Sequence, residues 1–200
     1  MPIEYKNRRG RIYYLHQGKT KTGKPRYYFS MKQDGGLVDG LPKGYEIYER
    51  PANGQVFLRR EVPLVITDIE KHIIMKELKK IGDSRRYILD IRGKVMSIFE
   101  SNQDVDELKE FLTSRFGAVP FLRGLDSSSA LDDMLNTATE YSPIMRFTLA
   151  DEKKRTFVAE RYCFLGSIDD WIHFGGPAGL GKIAGPCIEY LREDSFDGGY

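Results

Sequence analysis

Two hundred residues, 40% of them hydrophobic and 30% charged, make a chain long enough to bury its own core and exclude the disordered, fibrous and disulfide-stapled classes. No apolar run approaches the roughly 18 residues of a membrane-spanning helix, and the stretch from Met1 to Lys6 lacks the apolar segment of an export signal, so a soluble protein away from the membrane is expected. The net charge of +2 is unevenly divided: residues 1–60 carry 13 cationic and 5 anionic side chains, residues 61–200 carry 18 and 24.

The first segment is therefore +8 and the remainder −6, a split that points either to an anionic partner for the N-terminal part or to docking of that part on the rest of the chain. Two cysteines, Cys163 and Cys187, lie far apart, one in an expected strand and one in an expected helix. That usage predicts reduced thiols and a cytoplasmic compartment.

In chain order, Arg11–His16 and Pro25–Met31 are aromatic-rich runs flanking the polar, Gly-bounded segment 18–24, which predicts a β-hairpin. A second hairpin is expected from Tyr45–Arg50 and Gln55–Arg60 around Pro51-Ala52-Asn53-Gly54, whose Asn-Gly pair supports a tight turn. Together they predict a basic, tyrosine-rich, four-stranded antiparallel module over residues 1–62.

Beyond Pro63, Thr67 and Glu70 have capping-box spacing, and Ile69, Ile73, Ile74, Leu78 and Ile81 mark the expected buried side of a helix ending near Gly82. Residues 86–90 and 94–99 predict two strands joined near Arg92-Gly93 or one long bent strand. A helix is expected from Asp104 to Gly117 with Val105, Leu108, Phe111, Leu112 and Phe116 on one face, and a shorter one over 127–138. A third hairpin follows over residues 144–150 and 155–164, tipped by Asp151-Glu152-Lys153-Lys154.

Ser167 and Asp170 have the spacing of another helix cap, leading through Trp171 and Ile172 to Gly175-Gly176-Pro177. Leu180, Ile183, Ala184, Cys187, Ile188 and Leu191 then keep helical spacing, with Gly185-Pro186 expected to kink or break the helix. Residues 195–200 have little to anchor them except Phe196. The whole reads as an α+β fold of mainly antiparallel strands: the small β-module, then a mixed domain over 63–200 in which strand pairs are covered by helices.

For function, the strongest feature is the first hairpin. Alternation places Arg26, Tyr28, Ser30 and Lys32 on a solvated face and Tyr27, Phe29 and Met31 on a core face, while Lys19, Lys21 and Lys24 crowd the tip. Such cations can neutralise phosphates, and an exposed tyrosine ring can stack on a base. The same residues also suit a plain sheet kept soluble by edge lysines.

Other constellations are weaker. Gly176-Pro177-Ala178-Gly179-Leu180-Gly181-Lys182-Ile183 has the Gly and Lys spacing of a phosphate loop, but Ile183 stands where Ser or Thr would hold magnesium. Asp68 with His72 and Asp169 with His173 would each share a helical face, too few ligands for a metal site. Asp90 is expected to pair with Arg92, and Asp151-x-Lys153 is expected at a hairpin tip rather than in a nuclease strand. No cofactor or metal is expected. The residues thus support a non-enzymatic binding or interaction protein, with DNA or RNA, another protein or a second copy as partner, and an enzyme only if a cleft is assembled from residues distant in sequence.

Overall fold

The computed structural model describes residues 1–82, 85–103, 114, 137, 139–165 and 168–194. Every strand pairing in it is antiparallel, and two helices complete the described elements, so the fold is α+β. The chain divides into two compact units, Met1–Glu61 with Gln103–Glu140, and Val62–Asn102 with Tyr141–Tyr200. The second unit is therefore assembled from two segments rather than running unbroken from residue 63.

In the first unit, β1 (Glu4–Lys6), β2 (Ile12–Lys19) and β3 (Pro25–Ser30) form one sheet in that order, while β4 (Tyr45–Glu49) and β5 (Val56–Arg60) form a separate ribbon. The expected four-stranded sheet is corrected to five strands in two sheets. A three-residue β1 is too short to show alternation, and its pairing with β2 follows from the turn at Asn7–Gly10. The Asn-Gly turn between β4 and β5 forms as expected, with Gly54 at φ 67° and its N–H donating to the Arg50 carbonyl at 2.9 Å.

Among this unit's described residues, Tyr14, Leu15, Pro51 and Val56 are the buried apolar side chains. Polar ties add to these contacts. Buried Asn7 supplies one: its Nδ2 donates to the Gly54 carbonyl at 2.5 Å and its Oδ1 accepts from the Arg11 N–H at 2.8 Å, tying the β1–β2 turn to the β4–β5 turn. Glu49 on β4 accepts from the Arg8 backbone at 3.1 Å and from the Tyr5 hydroxyl at 3.2 Å. Burial, then the Glu49 carboxylate, pushes the Tyr5 phenol up.

The second unit holds β6 (Tyr87–Arg92), β7 (Val95–Ser101), β8 (Tyr141–Asp151), β9 (Thr156–Leu165) and β10 (Ile168–Gly179) in one sheet, ordered β10-β9-β8-β7-β6, with helices α1 (Asp68–Ile81) and α2 (Leu180–Asp194). The strand pairs expected separately are one meander. Its inward residues alternate along the strands: Met96, Ile98, Met145, Phe147 and Phe157 are wholly buried together with Ile74 of α1 and Ile188 of α2.

Helix α1 starts as expected, with the Thr67 side chain accepting from the Glu70 N–H at 3.3 Å and Glu70 accepting from the Thr67 N–H at 2.9 Å. Its buried side differs by one position. Glu70 lies inside with Ile74 and Leu78, whereas Ile69 is 75% exposed. The cause is Arg155, at the tip between β8 and β9, whose Nε donates to Glu70 Oε1 at 2.9 Å and whose Nη2 donates to Glu70 Oε2 and, at 3.2 Å, to the Val65 carbonyl. A bidentate cation makes the carboxylate the better residue to bury.

The largest correction concerns residues 168–179, expected as a capped helix followed by a loop. They form β10, paired along β9 from Ile168–Leu165 to Gly179–Thr156 with two irregularities near Gly175. Gly176 has φ 95°, and a Cβ there would collide with the Phe157 carbonyl oxygen, so the residue taken for a loop signal serves a close strand approach. The expected break at Pro186 is also absent. Pro186 is exposed, away from the Leu180–Ala184–Cys187–Ile188–Leu191 stripe, so the carbonyl it leaves without a helical donor can turn to water. The helix expected from Asp104 to Gly117 except Ser114, the one over 127–138 except Thr137, the Ser167 cap and the segment 195–200 lie outside the described residues.

Burial pushes the Glu70 carboxyl up, but hydrogen bonds from Arg155 and Thr67 outweigh it and hold the group below the usual carboxylate range. Its stabilisation is therefore complete above the ordinary glutamate value of about 4.3 and is lost as pH falls through the lowered one. Glu70→Gln is expected to cost about 2 kcal/mol at neutral pH, towards the low end for a charged pair because Arg155 is a third exposed. Urea midpoints of parent and variant should converge on acidification; a pH-independent gap would show that the carboxylate charge does not matter.

Candidate functional site

The β2–β3 hairpin is a base with an arm. On the outer side of β2, β1 pairs with Ile12–Tyr14, and the returning chain takes over through the Gln17 N–H to Gly36 carbonyl bond at 2.7 Å and the Val38 N–H to Leu15 carbonyl bond at 3.0 Å. From Gly18 to Arg26 no further described strand flanks the hairpin. Its tip is closed internally: the Thr20 N–H donates to the Lys24 carbonyl at 2.8 Å, and Thr20 Oγ1 accepts from the Lys24 N–H at 3.1 Å. Thr20 thus satisfies the turn and leaves the Lys21 and Lys24 side chains to solvent.

All six residues singled out in the sequence are exposed: Lys19, Lys21, Lys24, Arg26, Tyr28 and Lys32. Arg26 and Tyr28 share one face, set opposite Gly18 and His16 of β2. Lys19 has the opposite parity, Lys21 and Lys24 are at the tip, and Lys32 lies beyond the end of β3. Met31, expected in the core, is 59% exposed because β3 ends at Ser30. Phe29 is only half-buried; the buried position is its partner Leu15.

Tyr28 is 43% exposed, and its ring stacks on His16 at 5.3 Å between centroids and 11° between planes. His16, for which the sequence showed no partner, is 3% exposed and hydrogen-bonds the Lys32 carbonyl through Nε2 at 3.0 Å. A carbonyl only accepts, so Nε2 carries the proton. Gly18, diagonal to Tyr28 on the same face, offers no side chain to cover the tyrosine ring.

Five arginines of this unit are engaged. Arg8 pairs with Glu49, Arg9 with Glu140 and Arg59 with Glu46, while Arg50, Arg59 and Arg60 lie over Phe57, Tyr48 and Tyr45. Among the described residues no carboxylate lies within ion-pair distance of Lys19, Lys21, Lys24, Arg26 or Lys32.

The remaining constellations disperse. Ala178 and Gly179 of the phosphate-loop-like run are paired to Phe157 and Thr156, so that backbone belongs to a sheet ladder and does not cradle an anion. Asp68 and His72 are exposed on α1; Asp169 and His173 share a strand, which spaces their Cα atoms by roughly 13 Å. No group of three or more metal-ligating side chains occurs among the described residues. Cys163 and Cys187 are both free thiols, and burial pushes the Cys187 thiol up. Asp151 Oδ1 accepts from the Lys153 and Lys154 N–H groups, as a turn residue does.

One cluster escaped sequence reasoning because residues 168–173 read as a helix. On the sheet face carrying Arg146, Glu160 and Trp171, the Arg146 guanidinium donates to Glu160 at 2.6 and 2.9 Å and lies 4.4 Å from the Trp171 ring centroid. Tyr162 meets Trp171 edge-on at 5.0 Å and Phe164 at 4.7 Å, and Phe164 is 64% exposed. Period-two alternation of Asp169, Trp171 and His173 was the signal available. No helix among the described residues is long and apolar enough to cross a membrane. Comparison with protein-family models, curated proteins and solved structures gave no match.

Two outcomes follow from these placements. Leu15→Ala is expected to cost about 2–5 kcal/mol, read as a lowered urea midpoint, whereas Tyr28→Ala should cost less, since the ring is partly exposed. ATP or GTP should not raise the melting temperature, because the glycine-rich run is divided between the β10 ladder, at Ala178 and Gly179, and helix α2 from Leu180; a saturable shift lost in Lys182→Ala would contradict this.

Proposed function

We propose that the chain is a non-enzymatic nucleic-acid-binding accessory protein that uses the β2–β3 arm to hold a phosphate backbone. The observation carrying this reading is that the arm and its base carry five exposed cations without carboxylate partners among the described residues, one of them, Arg26, on the same face as a partly exposed tyrosine stacked on a buried imidazole. A ring already stacked on one side is pre-organised to receive a base on the other, and cations around it track the backbone. A binding role is also favoured by the ionisable groups. Arg146 holds Glu160 below its usual range, Arg155 and Thr67 do so for Glu70, and burial raises the Tyr87 phenol, all within structural pairs or the core.

Anisotropy titrations with a labelled single-stranded oligonucleotide at several salt concentrations test the reading. If all five cations contact phosphates, log affinity against log salt should slope at about −3.5. Tyr28→Ala should weaken binding by about 1–3 kcal/mol and Tyr28→Phe should retain it. Lys21→Glu with Lys24→Glu should flatten the slope. Absent binding at low salt, or a salt-independent affinity, would sink the proposal.

A further inference from the structure

Strand β10 is the last strand of its sheet, so one side of it has no described neighbour. In an antiparallel pair, opposed residues alternate between those bonded to each other and those whose N–H and C=O turn away, and the second kind bring their side chains closest. The close ring contact of Trp171 with its register partner Tyr162 marks the second kind. The N–H of Trp171 agrees, donating to Asp170 Oδ1 at 2.7 Å. Alternation then turns the backbone groups of Asp169, Trp171 and His173 outward together.

The same three residues carry their side chains on the face of Glu160, Tyr162 and Phe164. Asp169, Asp170, Ile172 and His173 are all exposed, so side chains do not cover this edge. Its chemistry is acidic and aromatic. Among the described residues no cation lies within ion-pair distance of Asp169 or Asp170; Tyr162 hydrogen-bonds Asp169, and Arg146, which feels the Asp170 charge, is already held by Glu160. The pairing of Asp170 Oδ1 with the outward N–H blocks the central donor of a strand edge with a charged group.

We propose that the outer edge of β10 is a docking strand for an extended segment of a partner protein bearing Lys or Arg at alternate positions, with Asp170 guarding it. Main-chain bonds to Asp169, Trp171 and His173 supply affinity, and side chains landing beside Asp169 and the Trp171 ring supply selection for cations. Asp170 must release the Trp171 N–H before the segment can add. The surface and its partner are independent of the nucleic-acid reading.

Trp171 is the only tryptophan in the chain, so its fluorescence reports this edge directly. A short peptide alternating Lys and Val should shift that emission and slow amide exchange at Asp169, Trp171 and His173, and a Glu/Val peptide should do neither. Asp169→Ala should weaken the Lys/Val peptide severalfold, and Asp170→Ala should tighten it by roughly fivefold as the guarded donor is freed. Equal binding of the two peptides, unchanged exchange at those amides, or weaker binding by Asp170→Ala would overturn the proposal. Dimerisation of Asp170→Ala in sedimentation without peptide capture would overturn it too, making a second copy the occupant.

Discussion

The pairing of Ser101 with Tyr141 is the constraint on which the architecture depends, because it closes β7 onto β8 across forty positions of sequence. Bringing such distant positions together costs about 3 kcal/mol of chain entropy before any contact forms. What offsets it is the ladder itself and the side chains it aligns: Ile98 opposite Met145 and Met96 opposite Phe147, all wholly buried. Without that pairing, β6–β7 and β8–β9–β10 would be two ribbons, each too small to hide a face. The excursion between Ser101 and Tyr141 also explains why the first unit draws on two segments, with Arg9 donating to the Thr139 carbonyl at 3.1 Å.

The two units solve the problem of stability differently. The second buries a continuous apolar layer under α1 and α2 and uses ion pairs at its margins, where Glu70 joins the start of a helix to the tip of a hairpin. Among its described residues the first has few buried apolar side chains and uses groups that each satisfy several backbone partners. Asn7 shows the economy of this: one side chain closes its own turn and anchors another. A buried carboxamide left without those partners would be a large liability, so both turns must form together.

Local signals were legible where a few neighbouring residues decide the outcome. Thr67 with Glu70 gave the start of α1, Asn53-Gly54 gave the β4–β5 turn, and the alternation in residues 144–164 gave β8 and β9. Signals failed where a distant partner decides. Ser167 and Asp170 mimic a cap, and only the β9 register turns residues 168–179 into a strand; in that context Asp170 accepts from Trp171 rather than from a helix N-terminus. The burial of Glu70 in place of Ile69 likewise depends on Arg155, 85 positions away. The exposed arm was readable from composition, but the support of Tyr28 by His16 needed the β2–β3 register.

The charge split follows the same logic. A surplus of cations in residues 1–60 does not by itself say where positive potential is available, since an arginine over a ring or beside a carboxylate is partly spent. Arg8, Arg9, Arg50, Arg59 and Arg60 are engaged in this way. The lysines of the arm have no such neighbour among the described residues, and Thr20 keeps the turn closed without their side chains. Separating the residues that close a turn from the residues that face solvent lets the tip keep its shape whether or not an anion is bound. The cost of ordering the arm is then met in folding, and an anion meeting it has only the lysine side chains left to order.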